Sequence, residues 1–295
     1  MKILKNYSPH SVALIALAVL GEAVILIPYK PSDIYSFSAF LLAFIVAIPL
    51  FLFVPCLLKG GVKLLQSKHT AVKFLFSLLF SIVALLFFLS AVFPFSEFLK
   101  FAGEILLPKA PKIISLLLFL GGLIPFLTLK KEPIFKFALI SIVFIGLIIL
   151  TLFALSVPSM KLINISVFAF PPIKKLTAEG LNYFAKIFLP ALAALGLCYG
   201  AYPSFNKKTA VLGVIIGGLL LSGIFLTSLL ILGSGVNHFE FPYFSAIGTL
   251  TFGNLFTRLD FFVYYLFFVS SLVKTALCIK SGVFILSLLK NKKSP

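Results

Sequence analysis

Apolar runs of about 20 residues recur along this 295-residue chain, which is the length a helix needs to cross the hydrocarbon core of a bilayer. With 61% hydrophobic residues and a mean hydropathy of +1.18, the chain carries far more apolar surface than a soluble domain can bury. No strand-length alternation separated by turns is visible, which argues against an outer-membrane barrel. The pattern predicts an all-α polytopic membrane protein, a single transmembrane domain over residues 1–295. About eight helices are expected, at 10–27, 36–58, 72–98, 113–129, 134–156, 183–203, 209–232 and 259–289.

The formal net charge of +17 would suggest nucleic acid in a soluble protein. Here the lysines lie mainly in short connections between apolar runs, and the chain has one arginine, Arg258. Because the forked guanidinium suited to phosphate and base recognition is nearly absent, membrane topology explains the charge and no nucleic-acid partner is expected. An inside N-terminus makes Lys2, Lys59, Lys130, Lys207 and Lys290, with their neighbouring lysines, cytoplasmic, so both termini are expected inside. The first run carries Glu22 and lacks a small-residue cleavage site, so it reads as a retained span. Cys56, Cys198 and Cys278 fall inside predicted spans with neither paired spacing nor a histidine cluster; no disulfide, metal site or cofactor is expected.

Two connections are long, Val157 to Asn182 and Gly233 to Arg258, and within the second Phe239 to Leu250 is placed along the membrane surface as a short amphipathic segment. The last apolar run is too long for one upright crossing and too short for two, which predicts one long tilted helix.

Two of the apolar runs share a pattern. Ala16-Leu17-Ala18-Val19-Leu20-Gly21 with Pro28 beyond it returns as Ala191-Leu192-Ala193-Ala194-Leu195-Gly196 with Pro203 beyond it. Matching Gly/Pro-interrupted spans in two halves of a membrane protein point to a transporter-type binding site near mid-bilayer. Around the second, Pro190, Gly196, Cys198, Tyr199, Gly200 and Pro203 combine a missing backbone donor with glycine freedom, so part of the helix is expected to be unwound; a simple proline kink is the competing account. Freed half-helix ends would attract a carboxylate and an ammonium group, together an amino-acid pocket. Gly196 and Gly200, and Gly213 and Gly217, are also spaced for close helix packing.

Glu22 follows Gly21 near the centre of the first span, where an ionised carboxylate costs about 3 kcal/mol on insertion scales. Lys274 lies in the middle of the eighth helix, with Ser270, Ser271, Cys278 and Ser281 on or beside its face. Two readings stand: a structural Glu22–Lys274 ion pair, or residues lining a ligand or ion cavity. Glu97, beyond Pro94 near the end of the third helix, faces either an entry vestibule or plain water. The three histidines lie apart and no Gly-x-Ser-x-Gly or phosphate-cradling loop occurs, so neither catalytic residues nor enzyme activity are expected.

Several ordered elements resemble the GerAB-type spore germination permeases, within the amino acid–polyamine–organocation transporter superfamily. Tyr7-Ser8-Pro9 is similar to that family's opening of the first span, and Phe95-Ser96-Glu97-Phe98-Leu99 followed by Leu106-Leu107-Pro108 and Pro111 to its third-helix exit. Phe241-Pro242, Arg258-Leu259-Asp260 and Val273-Lys274 with Ala276-Leu277 resemble its later motifs in order and spacing. The resemblance implies a LeuT-like inverted-repeat fold with a site between helices one, three, six and eight, onto which Gly21, Glu22, Glu97, Gly196 to Gly200 and Lys274 map. It also implies a membrane subunit of a nutrient-germinant receptor, in the spore inner membrane beside a larger membrane subunit and a lipoprotein, binding a small nutrient such as an amino acid. Members usually have ten spans, so the second repeat here lacks two. A proton-coupled amino-acid permease titrating on Glu22 or Lys274, and an ion or water conduit gated by partner subunits, use the same residue types.

Overall fold

A computed structural model describes residues 9–27, 36–65, 70–128, 131–161, 164, 172–201, 206–250 and 259–290. Every regular element among them is helical. In chain order they are α1 (Pro9–Leu20), α2 (Ala23–Leu26), α3 (Ser36–Leu65), α4 (Thr70–Phe101, continuing into a π-helical turn Ala102–Leu106), α5 (Lys112–Thr128) and α6 (Lys131–Ser156). Next comes an interrupted rod: α7 (Ile173–Tyr183), a π-helical turn Phe184–Phe188, α8 (Leu189–Ala191) and α9 (Ala193–Ala201). Then follow α10 (Lys207–Leu232), α11 (Pro242–Gly248) and α12 (Asp260–Lys290).

Among the described residues, six helical stretches are long and apolar enough to cross a membrane: Phe37–Val62, Thr70–Leu106, Pro133–Ser159, Ile173–Tyr199, Lys207–Leu232 and Phe261–Lys290. Pro9–Leu20 and Lys112–Thr128 are apolar but shorter, so six of the expected eight spans meet that length. The outward faces fit lipid rather than water. Phe74, Leu75, Leu85 and Leu89 of α4 and Leu57 of α3 are all more than half exposed, a contiguous apolar surface that water does not tolerate. The chain is a helical multi-pass membrane protein.

At the centre lies α1, buried from Ser11 to Leu20. It runs parallel to α10, because Gly213 meets Val12 and Ile15 while Gly217 meets Ala16 and Val19. A Cβ on Gly217 would stand 2.8 Å from Val19 Cβ and 2.9 Å from the Ala16 carbonyl oxygen, so the two backbones approach as only glycine permits. In α10, the Asn206 side chain caps the start by accepting from Lys208 N, and Gly233 at φ +56° ends it. The Leu230 carbonyl accepts from both Lys161 N and Asn164 Nδ2 at 3.0 Å, tying the α6 exit to that end.

α12 lies antiparallel to α4: Phe101 packs on Tyr264 and Phe267, Phe98 on Phe267 and Phe268, and Gly282 leaves room for Phe88. The long last apolar run is one continuous 31-residue helix.

Two sequence expectations change. The helix expected at 183–203 begins ten residues earlier, at Ile173. Lys174, Lys175, Thr177 and Glu179 make that stretch look like loop, yet they share one face of an amphipathic helix whose other face carries Leu176, Gly180 and Tyr183. Gly180 packs on Leu42 of α3, and the Tyr183 ring is 5.9 Å from that of Phe40. The surface placement of Phe239–Leu250 also fails. Pro242, Tyr243, Ala246 and Ile247 of α11 are buried, and the segment packs on α2, α10 and α12, with Phe241 and Phe244 meeting the Phe101 ring edge-to-face. Aromatic anchors hold it in the bundle.

Candidate functional site

The first helix breaks where the sequence places Gly21 and Glu22. Gly21 N still donates to the Leu17 carbonyl at 3.0 Å, but Gly21 takes φ +40°, and the chain restarts as the single turn α2. Glycine is required twice over: the positive φ is disfavoured for other residues, and a Cβ would fall on the Lys274 side chain. The turn presents Glu22 to the interior, 1% exposed.

The second interruption lies in the α7–α9 rod. Through the π turn, Leu189 N donates to Phe184 O, and Leu192 opens a further step before α9. Pro190 has no N–H to give the Lys186 carbonyl four residues back. That oxygen receives the Lys274 ammonium at 3.4 Å.

One face of α12 serves both interruptions. Ser270 Oγ donates to the Gly21 carbonyl at 2.8 Å and lies 2.6 Å from the Leu266 carbonyl. Lys274 Nζ donates to Glu22 Oε1 at 2.9 Å. Further along, the Cys278 thiol lies 4.0 Å from the Pro190 carbonyl, and Ser281 Oγ donates to the Ala193 carbonyl. The three contacts of Lys274, Cys278 and Ser281 with the rod share an offset of 88 residues, so α12 runs parallel to it. The polar stripe at spacings of four and three supplies donors to backbone oxygens of a distorted helix, as buried acceptors require.

The side chains of Glu22, Ser270, Ser271 and Lys274 are each buried to 1% or less. Lys274 is compensated by a carboxylate and a carbonyl. Glu22 Oε2 and Ser271 Oγ, by contrast, have no hydrogen-bond partner among the described residues. A carboxylate oxygen left bare in a dry interior costs free energy, and a site that takes up a donor is one setting in which such an oxygen persists.

Gly21, Glu22, Ser270 and Lys274 therefore come together, Ser271 lies buried on the next face of α12, and Gly196, Cys198, Tyr199 and Gly200 do not join them. Those four belong to α9, whose end lies against the start of α1: Cys198 stands beside Ser11, eleven residues from Glu22 and about 16 Å away along a helix. Gly196 sits inside a regular helical turn, where a Cβ would make only ordinary contact with Ser281 at 3.7 Å. The first copy of the Ala/Leu/Gly motif thus ends on the α1 break at Gly21, whereas in the rod the interruption runs from Phe184 through Pro190 to Leu192, overlapping the start of the second copy, and Gly196 lies in regular helix. Pro28, Pro203 and Arg258 lie outside the described residues.

Glu97 is half-buried on α4. It shares a helix face with the buried Pro94, Phe98 and Phe101, which turns it inward, and its charge interacts with Glu22 and Lys186 on one side and with Lys100 and Glu240 on the other. Lys100 and Glu240 form an exposed ion pair joining α4 to the approach to α11. One participant escapes the sequence reading: the Lys186 carbonyl was signalled only by Pro190 four residues later.

Comparison with protein-family models, curated proteins and solved structures finds no significant match to this chain. Fold and site define a class: a helical membrane protein whose two interrupted helices meet at one buried ion pair.

Proposed function

We propose that this chain is the membrane subunit of a spore nutrient-germinant receptor, binding a small nutrient, such as an amino acid, at the Glu22–Lys274 site and working beside a larger membrane subunit and a lipoprotein. The family assignment rests on the ordered motifs around Glu97, Phe241-Pro242 and Val273-Lys274. The observation that carries the site is the convergence of both helix interruptions on Lys274, next to the unpartnered Glu22 Oε2. A zwitterion suits this chemistry, since opening the internal pair presents an ammonium to the nutrient's carboxylate and a carboxylate to its amino group.

The test is germination of spores lacking this gene, rescued by the intact chain or by Glu22→Gln. Loss of response to some amino acids, rescue by the intact chain, and no rescue by Glu22→Gln at near-normal protein level are the expected results. An unchanged response in the deleted strain, or robust amino-acid uptake by the isolated protein in liposomes, would replace the receptor reading with a permease.

A further inference from the structure

We propose that the seam between α4 and α12 is a one-sided entry path for small cations, leading from the end of the bundle that carries Lys100 and Glu240, past Glu97 and Ser271, to the unpartnered oxygen of Glu22. The geometry begins with the register of the two helices. Phe98 packs on Phe267 and Phe268, and Ala91 clusters with Cys278, so Glu97 stands at the level of Ser270 and Ser271. On α12 the positions facing α4 follow at spacings of four and three: Tyr264, Phe268, Ser271, Thr275, Cys278 and Gly282. Ser271 is the first polar residue on that stripe below Tyr264, and its hydroxyl is fully buried without a partner. One helical face round, Ser270 and Lys274 touch the α1 break. The acceptors thus run in order from a half-buried carboxylate, through a bare hydroxyl, to a bare carboxylate oxygen.

Charge sets the preference. Glu22 is balanced by Lys274, and Glu97 lies between that pair and the exposed Lys100–Glu240 pair, with the Lys186 side chain also within range. The Glu97 carboxylate on α4 and the bare Glu22 oxygen at the path's end favour a proton or an ammonium group over an anion, while the Ser271 hydroxyl between them can accept from either. Towards the opposite end of the bundle, α1 is apolar and buried from Val12 to Leu20, and the next polar groups of α12, Cys278 and Ser281, are committed to carbonyls of the interrupted rod. That makes the path one-sided.

The proposal deepens the reading above by giving the same site an entry side and a charge preference. It is tested by thiol accessibility in membrane vesicles of both orientations. Cys56, Cys198 and Cys278 are replaced by alanine, and single cysteines are placed at Ser271, at Glu97 and, as a marker of the face, at the exposed Lys109. Ser271→Cys is expected to react only from the face on which Lys109→Cys reacts, and about tenfold faster with a cationic than with an anionic methanethiosulfonate; Glu97→Gln should erase that preference. Should Ser271→Cys not give a monodisperse protein, Thr275→Cys, one turn further along the same face, carries the same test. Reaction from both faces, faster reaction with the anionic reagent, or reaction at position 97 with none at 271 or 275 would overturn the path. The assay needs no nutrient or partner subunit. One-sided labelling in a strain whose germination ignores Glu22→Gln would therefore sink the receptor reading alone, and the reverse pattern the path alone.

Discussion

The first helix is held in two different ways. Along its length it lies against α10 through Gly213 and Gly217, a dry contact in which backbone meets backbone at van der Waals distance. At its broken end it is held by α12 through Ser270 and the Glu22–Lys274 pair, a contact made of charge and hydrogen bonds. The first arrangement needs only small residues and dispersion, because lipid gives helices no hydrophobic reason to associate. The second buries two charges where each is expensive, and apolar replacement of such a pair is often neutral for stability. A contact kept despite a cheaper alternative is where function belongs, and the bare Glu22 Oε2 beside it points the same way.

The largest effect is expected from unbalancing the charged side of α1. Lys274→Met alone strands a buried carboxylate and is expected to destabilise the protein by about 3–5 kcal/mol, while Glu22→Gln combined with Lys274→Met recovers most of that loss. Thermal unfolding in detergent measures both. A double variant as unstable as the single one would make the pair structural, and the two sides of α1 would then differ in chemistry but not in role. On the dry side, Gly217→Val drives its Cβ against Val19 and the Ala16 carbonyl, a backbone atom that no rotamer change moves away. A loss of about 1–3 kcal/mol is expected, with the nutrient response falling only in proportion to folded protein. Were the response lost at normal protein level, the glycine seam would be functional too.

The same contrast explains what the sequence disclosed. The dry seam is legible because glycines four apart in an apolar run have few other uses, and the α1 break because a carboxylate after glycine at membrane depth is hard to place otherwise. Lys274 stood out for the same reason, and the stripe of Ser270, Cys278 and Ser281 follows from helical spacing. Gly196 and Gly200 satisfy the same local pattern yet lie in regular helix, whereas the distortion of that rod begins at a π turn, Phe184 to Phe188, for which Pro190 just beyond it is the only local mark. The start of α7 carries a local mark, the helical spacing of Leu176, Gly180 and Tyr183, that the cluster of polar residues obscured, whereas the burial of α11 depends on a partner distant in sequence, Phe101, and carries none.

The smallest effect tests the hydrogen bond at the break. Ser270→Ala removes the donor to the Gly21 carbonyl and leaves the ion pair in place. Interhelical hydrogen bonds in membranes average about 0.6 kcal/mol, so the melting temperature should fall only slightly. The consequence for binding should be larger than for folding, since Ser270 fixes the carbonyl immediately before Glu22 and thereby aims the carboxylate at Lys274. A Ser270→Ala protein that is nearly as stable as the parent but needs severalfold more nutrient to germinate would separate positioning from support on the polar side of α1. Ser270→Thr, which retains the hydroxyl, should restore the response if the added methyl is accommodated. Equal sensitivity in Ser270→Ala and parent spores would show that the helix break holds Glu22 in place without help from Ser270, leaving Lys274 as the polar side chain of α12 that engages both interruptions.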